Sequence, residues 1–252
     1  MTGKRVLFVF AHPDDETFTS GIAISKYARE TDTQLHLVCA TRGQAGKAGD
    51  PPVCSREELP QVRERELREA CRILGMTSVE VWDYQDKALN QTPPGELVTK
   101  IQDAFARYRP QVVVTFAPHG ISGHPDHQAI SAAVTQAVQN LPEDSTVCKL
   151  YYATRARETV SPSSKPVFTD SYDTITTIIK GPAYCAQVAS ALQAHRTQHL
   201  SVERVFPGVC SGDFRHVPSQ NTYILAWHRL SGYVVAEKED DFFAGISPFP
   251  KQ

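Results

Sequence analysis

The chain has 252 residues, of which 41% are hydrophobic and 21% charged. That composition supports a sizeable core and excludes disordered, collagenous and low-complexity classes. Lys plus Arg total 26 against 28 for Asp plus Glu, a net charge of -2, so the general attraction needed for non-specific binding to nucleic acid or an anionic membrane is missing. The longest early apolar run, Val6 to Ala11, is far short of the roughly 18 residues that span a bilayer, and no small-residue cleavage site follows it. A cytoplasmic protein is expected, and with no boundary signal residues 1–252 are expected to form one domain. Cys39, Cys54, Cys71, Cys148, Cys185 and Cys210 are widely spaced without a C-x-x-C, which points to free thiols, most of them buried, rather than disulfides or a zinc knuckle.

Residues 5–11 form a continuous apolar run of β-formers, the pattern of a strand covered on both faces. A helix is predicted over 17–30, a strand over 34–40, a Gly/Pro-rich loop over 41–52, and a charged amphipathic helix over 57–74 ended by Gly75. Residues 78–82 read as a strand, 96–108 as a helix and 111–116 as a buried strand, followed by a helix from His124 or Asp126 to Asn140. Beyond it, 149–154 reads as a strand, 161–165 as a turn or loop and 183–198 as a helix, and the remainder carries no clear pattern. This alternation predicts an α/β, Rossmann-like domain, a mainly parallel sheet with helices on both faces. Ligands bind such sheets beyond the carboxyl ends of the strands, so the segments after Ala11, Ala40, Trp82 and Phe116 should share one crevice.

Two distant segments each end a buried strand, open a helix and carry His-Pro-Asp: His12-Pro13-Asp14-Asp15 and His124-Pro125-Asp126-His127. Imidazole and carboxylate ligands suit a borderline divalent ion such as zinc, and a catalytic zinc uses three protein ligands with a position kept for water. His12, Asp15 and His127 supply that set, although ligand type does not separate zinc from ferrous iron. Either motif alone also describes a helix N-cap with acidic first-turn residues, or histidines in a turn. Two motifs at equivalent strand ends favour a metal centre. Other chemistries fail on spacing. The first strand is not followed by G-x-G-x-x-G, Gly43-Gln44-Ala45-Gly46-Lys47 is not a phosphate loop and reads as a flexible loop over the site, and Gly120-Ile121-Ser122-Gly123 is not a nucleophile elbow.

Together, Ala11-His12-Pro13-Asp14-Asp15-Glu16 and His124-Pro125-Asp126-His127 resemble the signature pair of the PIG-L/LmbE-like deacetylases, zinc-dependent enzymes acting on N-acetylglucosaminyl compounds. The resemblance is firm from about Arg5 to Ala133, and His195-Arg196-Thr197-Gln198 is similar to that family's H-x-[ST]-Q element. Asp50-Pro51-Pro52, Arg63, Glu66-Leu67 and Asp86-Lys87 bring it closest to the second-type deacetylase of bacillithiol biosynthesis, which implies N-acetylglucosaminyl malate as substrate. The resemblance implies a zinc-activated water, Asp14 as general base, His124 as a protonated donor to the tetrahedral oxyanion, and Asp126 as the carboxylate that orients this imidazole. Asp126 also fits a helix N-cap.

Arg63 matches the family's R-x-x-E-L arginine, expected on a substrate hydroxyl or carboxylate, while the interleaved charges of its helix also describe a solvated face. Gln44, where relatives often carry Glu, and Asp86, the acidic residue after the third strand, are expected to contact the sugar or else to make turns. His195 is expected either at the site or as a packing residue, and His36, His199, His216 and His228 carry no functional expectation. The implied partner is a small N-acetylated amino sugar, and relatives often form trimers or hexamers. Two other readings stay open: an amidase on a glucosaminyl-linked thiol conjugate or another N-acyl sugar, and a non-catalytic carbohydrate-binding protein with a structural metal. Asp14, which a structural metal would not need, argues against the last.

Overall fold

The apolar run near the start of the chain becomes β1 (Lys4–Phe10), whose side chains from Val6 onward are fully buried, as a strand covered on both faces requires. In the computed structural model, which describes residues 3–93, 95–159 and 167–247, the chain continues through α1 (Asp15–Glu30), β2 (Thr33–Thr41), α2 (Leu59–Leu74), β3 (Ser78–Tyr84) and α3 (Glu96–Tyr108). There follow β4 (Val112–Phe116), α4 (Gly120–Gly123), α5 (Pro125–Gln139), β5 (Lys149–Thr154), β6 (Thr177–Lys180), α6 (Cys185–Ala194), α7 (His199–Val205) and β7 (Gln220–His228). Gly75 closes α2 in a left-handed conformation, φ 92°, with its N–H on the Cys71 carbonyl, the cap expected of a glycine there.

The sheet has the order β3-β2-β1-β4-β5-β7-β6. β3, β2, β1, β4 and β5 run parallel, whereas β7 is antiparallel to both β5 and β6. The mainly parallel α/β expectation holds, with a reversal at one end. α1, α2 and α6 pack on one another and α3 packs on α5, so the helices form two groups. The chain leaves β1 toward β2 on one side and returns through β4 on the other, which opens a crevice at the β1/β4 carboxyl ends.

The C-terminal part differs most from expectation. The helix predicted over 183–198 breaks at His195 (φ -81°, ψ 61°), passes through a 3-10 turn over Arg196–Gln198 and restarts as α7. β6 and β7 carried no readable pattern because β6 has four residues and β7 shows no regular two-residue alternation of burial. The turn expected over 161–165 lies outside the described residues. Among the described residues, no helix is long and apolar enough to cross a membrane.

Candidate active site

After β1 the chain turns through His12, Pro13 and Asp14 into α1. Asp14 occupies the N-cap position with φ 117° and ψ -27°, a conformation costly for any residue but glycine, yet its side chain makes no capping hydrogen bond. Arg63 Nη2 donates to Asp14 Oδ2 at 3.2 Å instead. The N-cap reading therefore fails for Asp14, whose carboxylate lines the cavity. On the other side of the crevice, β4 leads through α4 to α5. There His124 is the N-cap, its Nδ1 accepting the Asp126 N–H at 3.1 Å.

Between these turns His12 Nδ1 lies 3.0 Å from His127 Nε2, while the Asp15 oxygens lie 3.3 Å from His127 Nε2 and 3.5 Å from His12 Nδ1. Four ligands at about 2.0–2.1 Å from a zinc ion would be separated by about 3.3 Å. The two imidazole nitrogens stand near that spacing, each faced by a different Asp15 oxygen, Oδ2 for His12 and Oδ1 for His127, and the donor chemistry fits a cation. His12 Nε2 faces Asp86 Oδ1 at 3.0 Å and Asp126 Oδ2 at 3.2 Å, and His127 Nδ1 faces the Gly120 carbonyl at 2.9 Å, so these nitrogens carry the protons. The remaining lone pairs converge beside the Asp15 carboxylate, an arrangement that a cation satisfies. His124 stands close by: ring nitrogens of His12, His124 and His127 lie within 4.8 Å of one another. His127 stacks on Phe116 with ring centroids 4.1 Å apart, which fixes its plane.

Burial pushes the Asp14 carboxyl up to about 7, against the pull of Arg63. Burial acts on Asp15 in the same sense, but His127 and His12 outweigh it and hold that group down at about 2. His12 resists charging through burial, yet the carboxylates of Asp126, Asp15 and Asp86 raise it well above the usual imidazole range. Proton and divalent ion therefore compete for His12 Nδ1. Burial lowers His124, helped by the neighbouring His12.

The structure brings His12, Asp14, Asp15, Arg63, Asp86, His124 and His127 to one cavity but reassigns several partners. The Asp126 carboxylate does not orient His124; it accepts the Lys87 and Leu89 N–H groups at 2.6 and 3.1 Å and holds His12, while its backbone N–H holds His124. Because His124 Nδ1 is an acceptor, the ring presents a neutral Nε2–H rather than the expected imidazolium. Arg63 is not a solvated helix residue: it is 4% exposed and donates to the Pro13 and Gly43 carbonyls at 2.5 and 2.8 Å as well as to Asp14. Asp86 binds His12 and the Ala45 N–H, and Gln44 donates to the Tyr84 carbonyl. The loop 43–47 is pinned by these bonds and by Gln198 on the Lys47 carbonyl.

His195 is 1% exposed and pairs with Glu16 at 3.1 Å, a packing role behind the site. The residues that sequence reasoning passed over are Glu16 and Glu66. Glu66 accepts both the N–H and the hydroxyl of Thr197, so the helix carrying Arg63 is tied to the His195-Arg196-Thr197-Gln198 element. The signal was present in two short motifs whose meeting only the fold reveals.

The PIG-L family, described as GlcNAc-PI de-N-acetylase, matches residues 7–138. A Bacillus anthracis protein named probable N-acetyl-alpha-D-glucosaminyl L-malate deacetylase 2 is 40% identical over 142 residues, 56% of this chain and 62% of that protein, so less than two thirds of its length is spanned. A Bacillus subtilis protein of the same name is 32% identical over 201 residues, covering 77% of this chain and 83% of its own. The 1D-myo-inositol 2-acetamido-2-deoxy-alpha-D-glucopyranoside deacetylase of Kineococcus radiotolerans is 28% identical across 97% of this chain and 84% of its own. The fold is shared with N,N'-diacetylchitobiose deacetylase from Pyrococcus horikoshii, with a TM-score of 0.66 and 20% identity over 88% of this chain and 83% of that one. The family match runs from within β1 through nearly all of α5, more than half of the sequence and both turns that build the site, and on that ground the chain belongs to the PIG-L family.

Proposed function

We propose that the chain is a zinc-dependent hydrolase that removes the acetyl group from an N-acetylglucosaminyl substrate, with N-acetylglucosaminyl malate as the preferred compound. The observation that carries this reading is the convergence of the His12 and His127 lone pairs on Asp15, beside an Asp14 carboxylate released from helix capping. The names of the Bacillus relatives support the malate conjugate. His12, Asp15 and His127 would hold the ion. Zinc bound there supplies Lewis acidity and water acidified toward neutrality.

The chain's own residues do the rest. Asp14, with Oδ2 fixed by Arg63, accepts a proton from water at its other oxygen as the water oxygen bonds to the acetyl carbon. His124 Nε2–H donates to the carbonyl oxygen as it gains charge. Asp14 then returns the proton to the amide nitrogen as the C–N bond breaks, giving acetate and the free amine. Asp86 and Asp126 keep His12 in the tautomer that leaves Nδ1 unprotonated for the ion.

The inositol conjugate is a second reading, supported by the relatives aligned over nearly the whole chain. Amine release by zinc-loaded protein from N-acetylglucosaminyl malate, N-acetylglucosaminyl inositol and N-acetylglucosamine, beside a chelated control, separates the readings. Chelator-sensitive turnover favouring malate is expected. Preference for inositol would overturn the malate assignment, and absence of metal-dependent turnover on all three would overturn the deacetylase.

A further inference from the structure

The cavity that holds the metal ligands extends past the ends of β4 and β5 toward the segment that precedes β7. Four arginines line it. Arg63 is engaged by Asp14 and two carbonyls, Arg215 pairs with Asp213 at 2.7 Å, and Arg204 stands exposed at the rim with a bond to Ser201 Oγ. Arg155, the residue after β5, is half-buried, and among the described residues its guanidinium has neither an acidic partner nor a hydrogen-bond acceptor.

The position is nonetheless built. The Arg155 carbonyl accepts the Asp170 N–H at 3.0 Å, and the Asp170 carboxylate is engaged elsewhere, by Thr154 Oγ1 at 2.5 Å and His119 Nε2 at 3.1 Å. The guanidinium lies 5.9 Å from the ring of Phe206, which is itself packed edge-on against Phe18 of α1 at 5.3 Å. At that distance the ring face attracts the cation without taking up any of its N–H donors. Desolvating a guanidinium with no counter-charge is unfavourable, and an anion entering the cavity removes that penalty. Burial lowers the pKa of Arg155, and no carboxylate among the described residues acts to raise it.

We propose that Arg155 recognises a carboxylate on the aglycone of the substrate, so that the site selects N-acetylglucosaminyl conjugates of a carboxylic acid over those of a neutral alcohol or polyol. The inference rests on the deacetylase reading and sharpens it. It moves anion recognition from Arg63, whose two Nη atoms are engaged by Asp14 and the Pro13 and Gly43 carbonyls, to a residue at the end of β5 that no sequence motif marks.

The test is the ratio of kcat/KM for N-acetylglucosaminyl malate to that for methyl N-acetylglucosaminide, in the zinc-loaded wild type, Arg155→Met and Arg155→Lys. The ratio is independent of the fraction of protein folded. It is expected to fall about 10- to 100-fold in Arg155→Met, mainly through KM for the malate conjugate, with partial recovery in Arg155→Lys. An unchanged ratio in both variants overturns the proposal. If the wild type turns over neither compound, the deacetylase reading fails on its own, and calorimetric binding of free L-malate decides the role of Arg155. Binding that is lost in Arg155→Met sustains the anion site; no binding by the wild type, or equal binding by the variant, ends it.

Discussion

Asp14 unites a strained left-handed backbone, an ion pair with Arg63 and a carboxyl raised to about 7, a combination that leaves it able to take and return a proton near neutrality. Asp14→Asn is expected to lower kcat by about 10²- to 10⁴-fold while the bound zinc, measured by elemental analysis, stays near one per chain. His127→Ala should lose the zinc together with activity, because it removes a ligand rather than a proton acceptor. An Asp14→Asn protein with near-wild-type kcat would remove the general-base role.

At the scale of elements, the loop after β2 is shaped by its neighbour on α2. Gly43 has φ 64°, and a Cβ added there would lie 2.0 Å from Arg63 Nη1. Gly43→Ala is therefore expected to displace the guanidinium from Asp14, to cost about 1–3 kcal/mol of stability in denaturant unfolding, and to lower kcat more than it raises KM. β2 also carries His36, stacked on Tyr108 at 4.6 Å with a buried Nε2 that has no hydrogen-bond partner among the described residues. Burial, with nearby Arg5, lowers its pKa to about 4 from 6.5. The unfolded chain binds the proton first, so stability should decline as pH falls through 6.5 and the decline should level off near 4. Unfolding curves of His36→Gln across that window should show a shallower acid decline; an identical slope would assign the decline to other groups.

The whole molecule is closed by a buried network at the antiparallel end of the sheet. Lys149, fully buried at the start of β5, donates to Glu239 Oε1 at 2.5 Å, while Glu239 Oε2 accepts from Thr177 Oγ1 of β6 and the Tyr151 hydroxyl at 2.6 and 2.7 Å. This carboxylate ties the segment after β7 to two strands. Lys149→Met leaves Glu239 buried without its cation and should cost about 3–5 kcal/mol, read as a fall in the thermal midpoint, with part recovered when Glu239→Gln is added.

The parallel sheet, the crevice at the strand ends and the nearness of His12, Asp15 and His127 within it were legible in the sequence. Apolar periodicity marks buried strands locally, and a ligand motif directly after such a strand is placed by the topology rule alone. Partner choice was not legible. That Asp126 holds His12 rather than His124, that Arg63 is committed to Asp14, and that β7 runs antiparallel depend on how elements distant in sequence meet in three dimensions. A single sequence records how often a side chain faces the core, but the charge or hydroxyl that meets it there is set by crossover and register, so only the tertiary structure separates the arginine at residue 63, paired with Asp14, from the one at residue 155, which has no acidic partner among the described residues.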